Sequence, residues 1–186
     1  MRRRAALLLP LGALLPSPER AAAQPGPSPS VDNLLSALKV APNEQAAGAL
    51  ESEIREALAA RASPAVKLLL ARAQRELGEQ AAGDALDSFD AALDLEPELV
   101  IGWNGRAEAR LALGDYAGAV KDIRQALLME PRNFIAFKQL ARVSEVRGDW
   151  KGALAAWTKV LELSPKTPGG EERLHDLQRR ALGEQL

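Results

Sequence analysis

At 186 residues, 47% hydrophobic but only 4% aromatic, the chain has the length of one domain and a core built on leucine and alanine. Lysine plus arginine number 24 against 25 aspartate plus glutamate, and beyond the first four residues no stretch concentrates basic side chains, which argues against nucleic acid as a partner. Cysteine is absent, which excludes disulfides, thiolate metal sites, a cysteine nucleophile and lipid attachment through an N-terminal cysteine.

In chain order, Arg2, Arg3 and Arg4 precede a short apolar run from Ala5 to Leu15, and Ala21-Ala22-Ala23 follows. That order of charged, apolar and small residues predicts a signal peptide over residues 1–23, cleaved near Ala23, and a periplasmic or secreted product. The run is too short to span a bilayer and is broken by Pro10 and Gly12, so retention as an anchor is disfavoured. No later segment could span a membrane. Cleavage would leave 20 basic and 24 acidic residues, a formal charge of −4.

Residues 24–30, rich in proline and serine, read as an extended linker. Val31, Leu34, Leu35 and Leu38 then recur with helical spacing, Ala41-Pro42-Asn43 ends that helix, and a second carries Ala47, Leu50, Ile54 and Leu58 on one face. Residues 31–62 thus form an atypical helical hairpin. Glu51, Glu53, Arg55 and Glu56 are expected on its solvated side. Further helices are predicted near 66–77, 82–95, 98–113, 115–129, 132–147 and 149–163. A last amphipathic helix, from 171 to about 182, aligns Leu174, Leu177 and Ala181.

A period runs through the middle of the chain. Pro97, Pro131 and Pro165 stand 34 residues apart, each closing an apolar, acid-containing run; Gly114-Asp115-Tyr116 and Gly148-Asp149-Trp150 each begin 17 residues before a proline, and Ala85, Ala119 and Ala153 keep the same step. This pattern resembles the tetratricopeptide repeat. The resemblance implies an all-α, right-handed α-solenoid of antiparallel helix hairpins, with three repeats within residues 63–165 (approximately 66–99, 100–133 and 134–167) and a C-terminal capping helix in 168–186. Gly114 and Gly148 stand where a helix must stop in left-handed conformation, and Asp115 and Asp149 can cap the next one. In the first repeat the turn is degenerate, with Gln80 at the glycine position.

Ala73, Ala107 and Ala141 on the first helices, and Ala85, Ala119 and Ala153 on the second, allow close approach; Trp103, Phe137, Tyr116, Trp150, Phe89, Ile123 and Trp157 supply bulk between them. Arg72 and Arg106 occupy a first-helix position that the repeat class usually gives to leucine. A buried charge there needs a partner. By the resemblance, Arg106 pairs with Asp122 as a structural ion pair, and the same offset from Arg72 reaches Ser88, with Asp87 adjacent.

No catalytic residues and no cofactor are expected. His175, the one histidine, lies on the last helix between acidic and basic neighbours with no partnering serine or aspartate motif, and Gly169-Gly170 reads as a turn. The carboxylates of Glu51, Glu53 and Glu56 lack the histidine or loop geometry of a metal site. The chain therefore reads as a non-enzyme.

The resemblance places the partner-binding groove on the first helices, at Lys67, Leu70 and Gln74 in the first repeat, Ile101, Asn104, Glu108 and Leu111 in the second, and Ile135, Lys138, Gln139, Arg142 and Glu145 in the third. Such a mixed surface suits an extended peptide or a partner helix. Tetratricopeptide domains that clamp a C-terminal carboxylate need asparagine where this chain has Gly105, and basic residues where it has Ile135 and Gln139, so that clamp is absent. The expected function is a non-catalytic protein-interaction scaffold or adaptor in the periplasm, with a protein or peptide partner. The alternative is a subunit of an envelope-assembly or secretion complex that binds through its outer or end faces. Weak self-association through an uncapped first hairpin is a further expectation.

Overall fold

The computed structural model describes residues 30–183, and the expected leader lies outside them. Within them the chain forms α1 (Val31–Lys39), α2 (Glu44–Ala60), α3 (Pro64–Gly78), α4 (Ala82–Leu95), α5 (Val100–Ala112), α6 (Tyr116–Met129), α7 (Phe134–Val146), α8 (Trp150–Leu163) and α9 (Gly170–Leu182), with no strand among the described residues. None of these helices is long and apolar enough to cross a membrane. The pairs α3–α4, α5–α6 and α7–α8 pack as hairpins, each leaning on the next, and α9 closes the far end against α8.

The turns explain the period. Gly114 and Gly148 take positive φ (77° and 72°), a conformation open to glycine at no steric cost, and the aspartate after each accepts a hydrogen bond from a backbone amide of the next helix at 2.9 Å. A Cβ on Gly118 or Gly152 would lie about 2 Å from that carboxylate, so the capping geometry also fixes the second glycine. The first repeat keeps the same backbone with the wrong residues: Gln80 is forced to φ 63°, and Ala81 offers α4 no side-chain cap.

Ala73, Ala107, Ala141, Ala85, Ala119 and Ala153 are fully buried where helices cross, while Phe89, Ile123 and Trp157 fill the spaces between them. Asp122, 1% exposed, receives two hydrogen bonds from Arg106 (3.1 and 2.9 Å) and one from Arg110 at 2.7 Å, and Arg106 reaches on to Asp90 of the previous repeat at 2.6 Å. Three helices, α4, α5 and α6, are tied by this cluster. Arg106 also stacks 4.6 Å above the Trp103 ring. At the far end the Trp157 indole donates to Gly170 O at 2.9 Å, and Arg173 and Arg180 cover Trp157 and Trp150.

Two expectations need correction. Arg72 is not buried: its side chain is 61% exposed and pairs with Glu76 along its own helix, and Ser88 donates to the other oxygen of the same carboxylate. No hairpin stacks on α3 to cover it. Leu68 on the same helix is left exposed. The α1–α2 hairpin instead lies along the concave side, where Val31, Leu34, Leu35, Leu38, Ala47, Ile54 and Leu58 bury themselves with Phe134 of α7 and rest on Ile101, Ile135 and Leu163. Its apolar face is thereby covered within the chain, which removes the premise for self-association through it.

Asp122→Ala leaves two arginines without their buried anion and is expected to cost about 3 kcal/mol, a fall of roughly 6–12 °C in the midpoint of thermal unfolding. An unchanged midpoint in calorimetry would show that the cluster contributes nothing to stability.

Candidate functional site

The first helices of the three repeats, α3, α5 and α7, line the concave face. The α1–α2 hairpin covers one side of it. What remains between α2 and the repeats is a pocket of about 610 Å³, floored by Leu70, Leu77, Ile101 and Ile135 and rimmed by Lys67, Gln74, Glu108 and Arg142 from the repeats, Arg55 and Glu56 from α2, and Arg173 from α9. Among the described residues no group of histidine and acidic side chains is placed to hold a metal.

The expected groove residues divide into three groups. Lys67 and Gln74 are exposed on the pocket rim, and Arg142 is exposed there too, held to Glu108 at 2.5 Å. Asn104 and Gln139 reach the lining but are buried and occupied. Asn104 and Asn133 exchange amide hydrogen bonds (3.4 and 3.0 Å), and Asn133 also caps α7, so this pair closes the junction between the second and third repeats. Gln139 donates to Asn104 O at 2.8 Å and towards Glu108, which fixes the direction of its amide and leaves Oε1 buried without a partner. Glu145 lies outside the pocket lining, taken by Arg173 at 2.5 Å, and Leu111 is in the core.

Lys138 is committed as well. Both oxygens of Glu51 accept from its ammonium (2.9 and 2.7 Å), and the same carboxylate accepts from the Thr167 hydroxyl at 2.6 Å and from Ser164 at 3.3 Å. Burial pushes Lys138 below the ordinary lysine range, and the hydrogen bond and charge of Glu51 pull against that shift. Glu51 is 4% exposed, so it does not belong to a solvated face, contrary to expectation; Glu53 and Glu56 do. The spacing that could have revealed it is visible in the sequence: Ala47, Glu51, Ile54 and Leu58 fall in one line along α2.

Gly105 has its own reason for being glycine. A Cβ there would stand 2.1 Å from Phe89 Cε1 and 2.3 Å from Cζ, because the Phe89 ring occupies the space that a side chain at 105 would need. The position at which a carboxylate clamp needs asparagine is therefore filled by the preceding repeat.

Hairpins stepping by 34 residues, crossing on buried alanines and presenting their first helices to one concave face, give this chain the fold of tetratricopeptide-repeat domains. Over 165 residues it is 29% identical to a TPR repeat-containing protein of Rhizobium etli, a match spanning 89% of this chain and 81% of that protein. Its fold superposes on the Sgt2 TPR domain from Aspergillus fumigatus with a TM-score of 0.60 at 24% identity, covering 64% of this chain and 80% of that one. The first TPR of Spaghetti (RPAP3), solved bound to an HSP90 peptide, gives 0.59 at 19%, covering 63% and 93%. No family model matches the chain.

Gly105→Asn is expected to overpack against Phe89 and destabilise the fold by about 1–3 kcal/mol, seen as a lower midpoint in circular dichroism melts. A neutral or stabilising outcome would mean that the ring moves aside and that the site can hold a side chain after all.

Proposed function

We propose that this chain is a non-catalytic interaction scaffold that holds a segment of a protein or peptide partner in the concave pocket. The observation that carries the reading is the pocket itself: an open space of about 610 Å³ with an apolar floor and a mixed charged rim, the composition that accepts an apolar side chain while pairing with backbone and charged groups around it. The Spaghetti domain, which shares the fold, was solved bound to an HSP90 peptide, and this supports a peptide as the kind of partner. Because α2 occupies one side, the free part takes a short segment.

The test uses side chains that the fold does not need. Lys67 and Arg142 are exposed on the rim, whereas Lys138 is tied to Glu51 and would disturb the hairpin if changed. Crosslinking and affinity purification of the native chain should identify the partner, and Lys67→Glu with Arg142→Glu should weaken its capture by about tenfold or more, as reversal of two exposed rim charges facing a complementary partner predicts. Undiminished capture would move the partner to the outer or end faces and favour the assembly-subunit reading.

We also propose export to the periplasm, which rests on the order of charged, apolar and small residues in 1–23. Mass spectrometry of the protein recovered from its native cell should find Gln24 at the N-terminus in the periplasmic fraction. Recovery of the chain from Met1 in the cytosol would overturn it.

A further inference from the structure

The repeat step exposes an oddity in the third repeat. Asn104 and Asn133 satisfy one another across the second junction, and a 34-residue step carries them onto Lys138 and Thr167. An amide pair can give and take reciprocally, but an ammonium has only donors to offer. With the neighbouring Ser164 hydroxyl, the third junction therefore presents three donors converging on one point, and what they converge on is the Glu51 carboxylate. Ser164 and Thr167 are buried on the body of the solenoid, and Lys138 projects from α7 beside Phe134. Glu51 comes from a hairpin whose only covalent link to the repeats is the short turn at residues 61–63.

We propose that Lys138, Ser164 and Thr167 form a carboxylate-recognition site of the repeat body, that α2 is its resident occupant, and that an amphipathic helix of another protein displaces it. The chemistry of that helix is set by the present occupant: one carboxylate in line with small or apolar residues four before, three after and seven after it, as Glu51 stands to Ala47, Ile54 and Leu58. The apolar residues rest on Phe134, Ile101 and Ile135, and the carboxylate satisfies the three donors. The site adjoins the free part of the pocket and shares Ile101, Ile135 and Lys138 with it, but its three donors are engaged by Glu51 whether or not that part is filled. Displacement requires the hairpin to turn about residues 61–63 and to release the exposed Asp32–Arg132 pair, while the incoming helix replaces the donor–acceptor pairs that Glu51 gives up.

The probe is a labelled synthetic peptide with the sequence of residues 43–61, titrated into the full chain by fluorescence anisotropy. Glu51→Lys in the chain sets a cation against Lys138 and frees the site, so the peptide should bind this variant about tenfold or more tighter than wild type; a peptide carrying Glu51→Gln should lose about the same factor, which is what one hydrogen bond to a charged group supplies. A folded Glu51→Lys chain that ignores the peptide, or binds both peptides equally, overturns the proposal. Should that variant fail to fold, a second keeps the test open. A Cβ at Gly48 lies 3.4 Å from Pro168 Cγ, so Gly48→Cys with Pro168→Cys can lock the hairpin in place in a chain that has no other cysteine. Oxidation should then abolish peptide binding and reductant restore it, and equal binding in both states overturns the idea. If the wild-type chain dimerises in light scattering and excess peptide leaves the dimer intact, the hairpin exchanges between copies and no foreign helix displaces it, which also overturns the proposal.

Discussion

A hairpin of two short helices can bury one side of its seam and no more, and everything in this molecule follows from how the remaining sides are covered. The three repeats cover one another in sequence, through alanines that let helices touch and through the Arg106–Asp122–Arg110 cluster that ties three of them. At the far end, α9 provides the last cover with Leu177, and its first carbonyl, Gly170 O, accepts from the Trp157 indole of α8. The first hairpin solves the problem differently. It gives its apolar side to the concave face and leaves the open side of α3 in water, which is why Arg72 is solvated while its repeat equivalent Arg106 is not.

Much of this was legible because the repeat writes the same local physics three times. Gly114 and Gly148 need left-handed backbone, Asp115 and Asp149 need an amide to cap, and the buried alanines need a neighbour within reach; each requirement is local and survives in the sequence as spacing. The placement of α1 and α2 was not legible in that way. Their helical faces are evident from periodicity, but the surface that receives them is assembled from Ile101, Phe134, Ile135 and Leu163, contributed by three other helices. Periodicity says which face is apolar and is silent on what it meets. Glu51 was misread for a related reason: a carboxylate is assumed to seek water until three donors distant in sequence are seen to converge on it.

The same distinction governs the groove. Lys67, Gln74, Asn104, Glu108, Lys138, Gln139 and Arg142 share one lining, yet position within a repeat cannot tell a free side chain from an occupied one. Asn104 and Gln139 are spent on the junction between repeats, Lys138 on Glu51 and Glu145 on Arg173, so the polar surface open to a partner is much smaller than the repeat pattern implies.

Solenoids are ordinarily one-dimensional objects: each unit touches its neighbours, contacts are local, and folding can begin anywhere and spread. The clasp between Glu51 and Thr167 joins residues 116 apart, and the pair between Asp32 and Arg132 joins residues 100 apart. Those long-range contacts turn a row into a closed loop. Closing a loop of that length carries a larger entropy cost than stacking one repeat on the next, and the surface the hairpin meets is assembled from α5, α7 and α8, so its docking depends on the repeats having stacked.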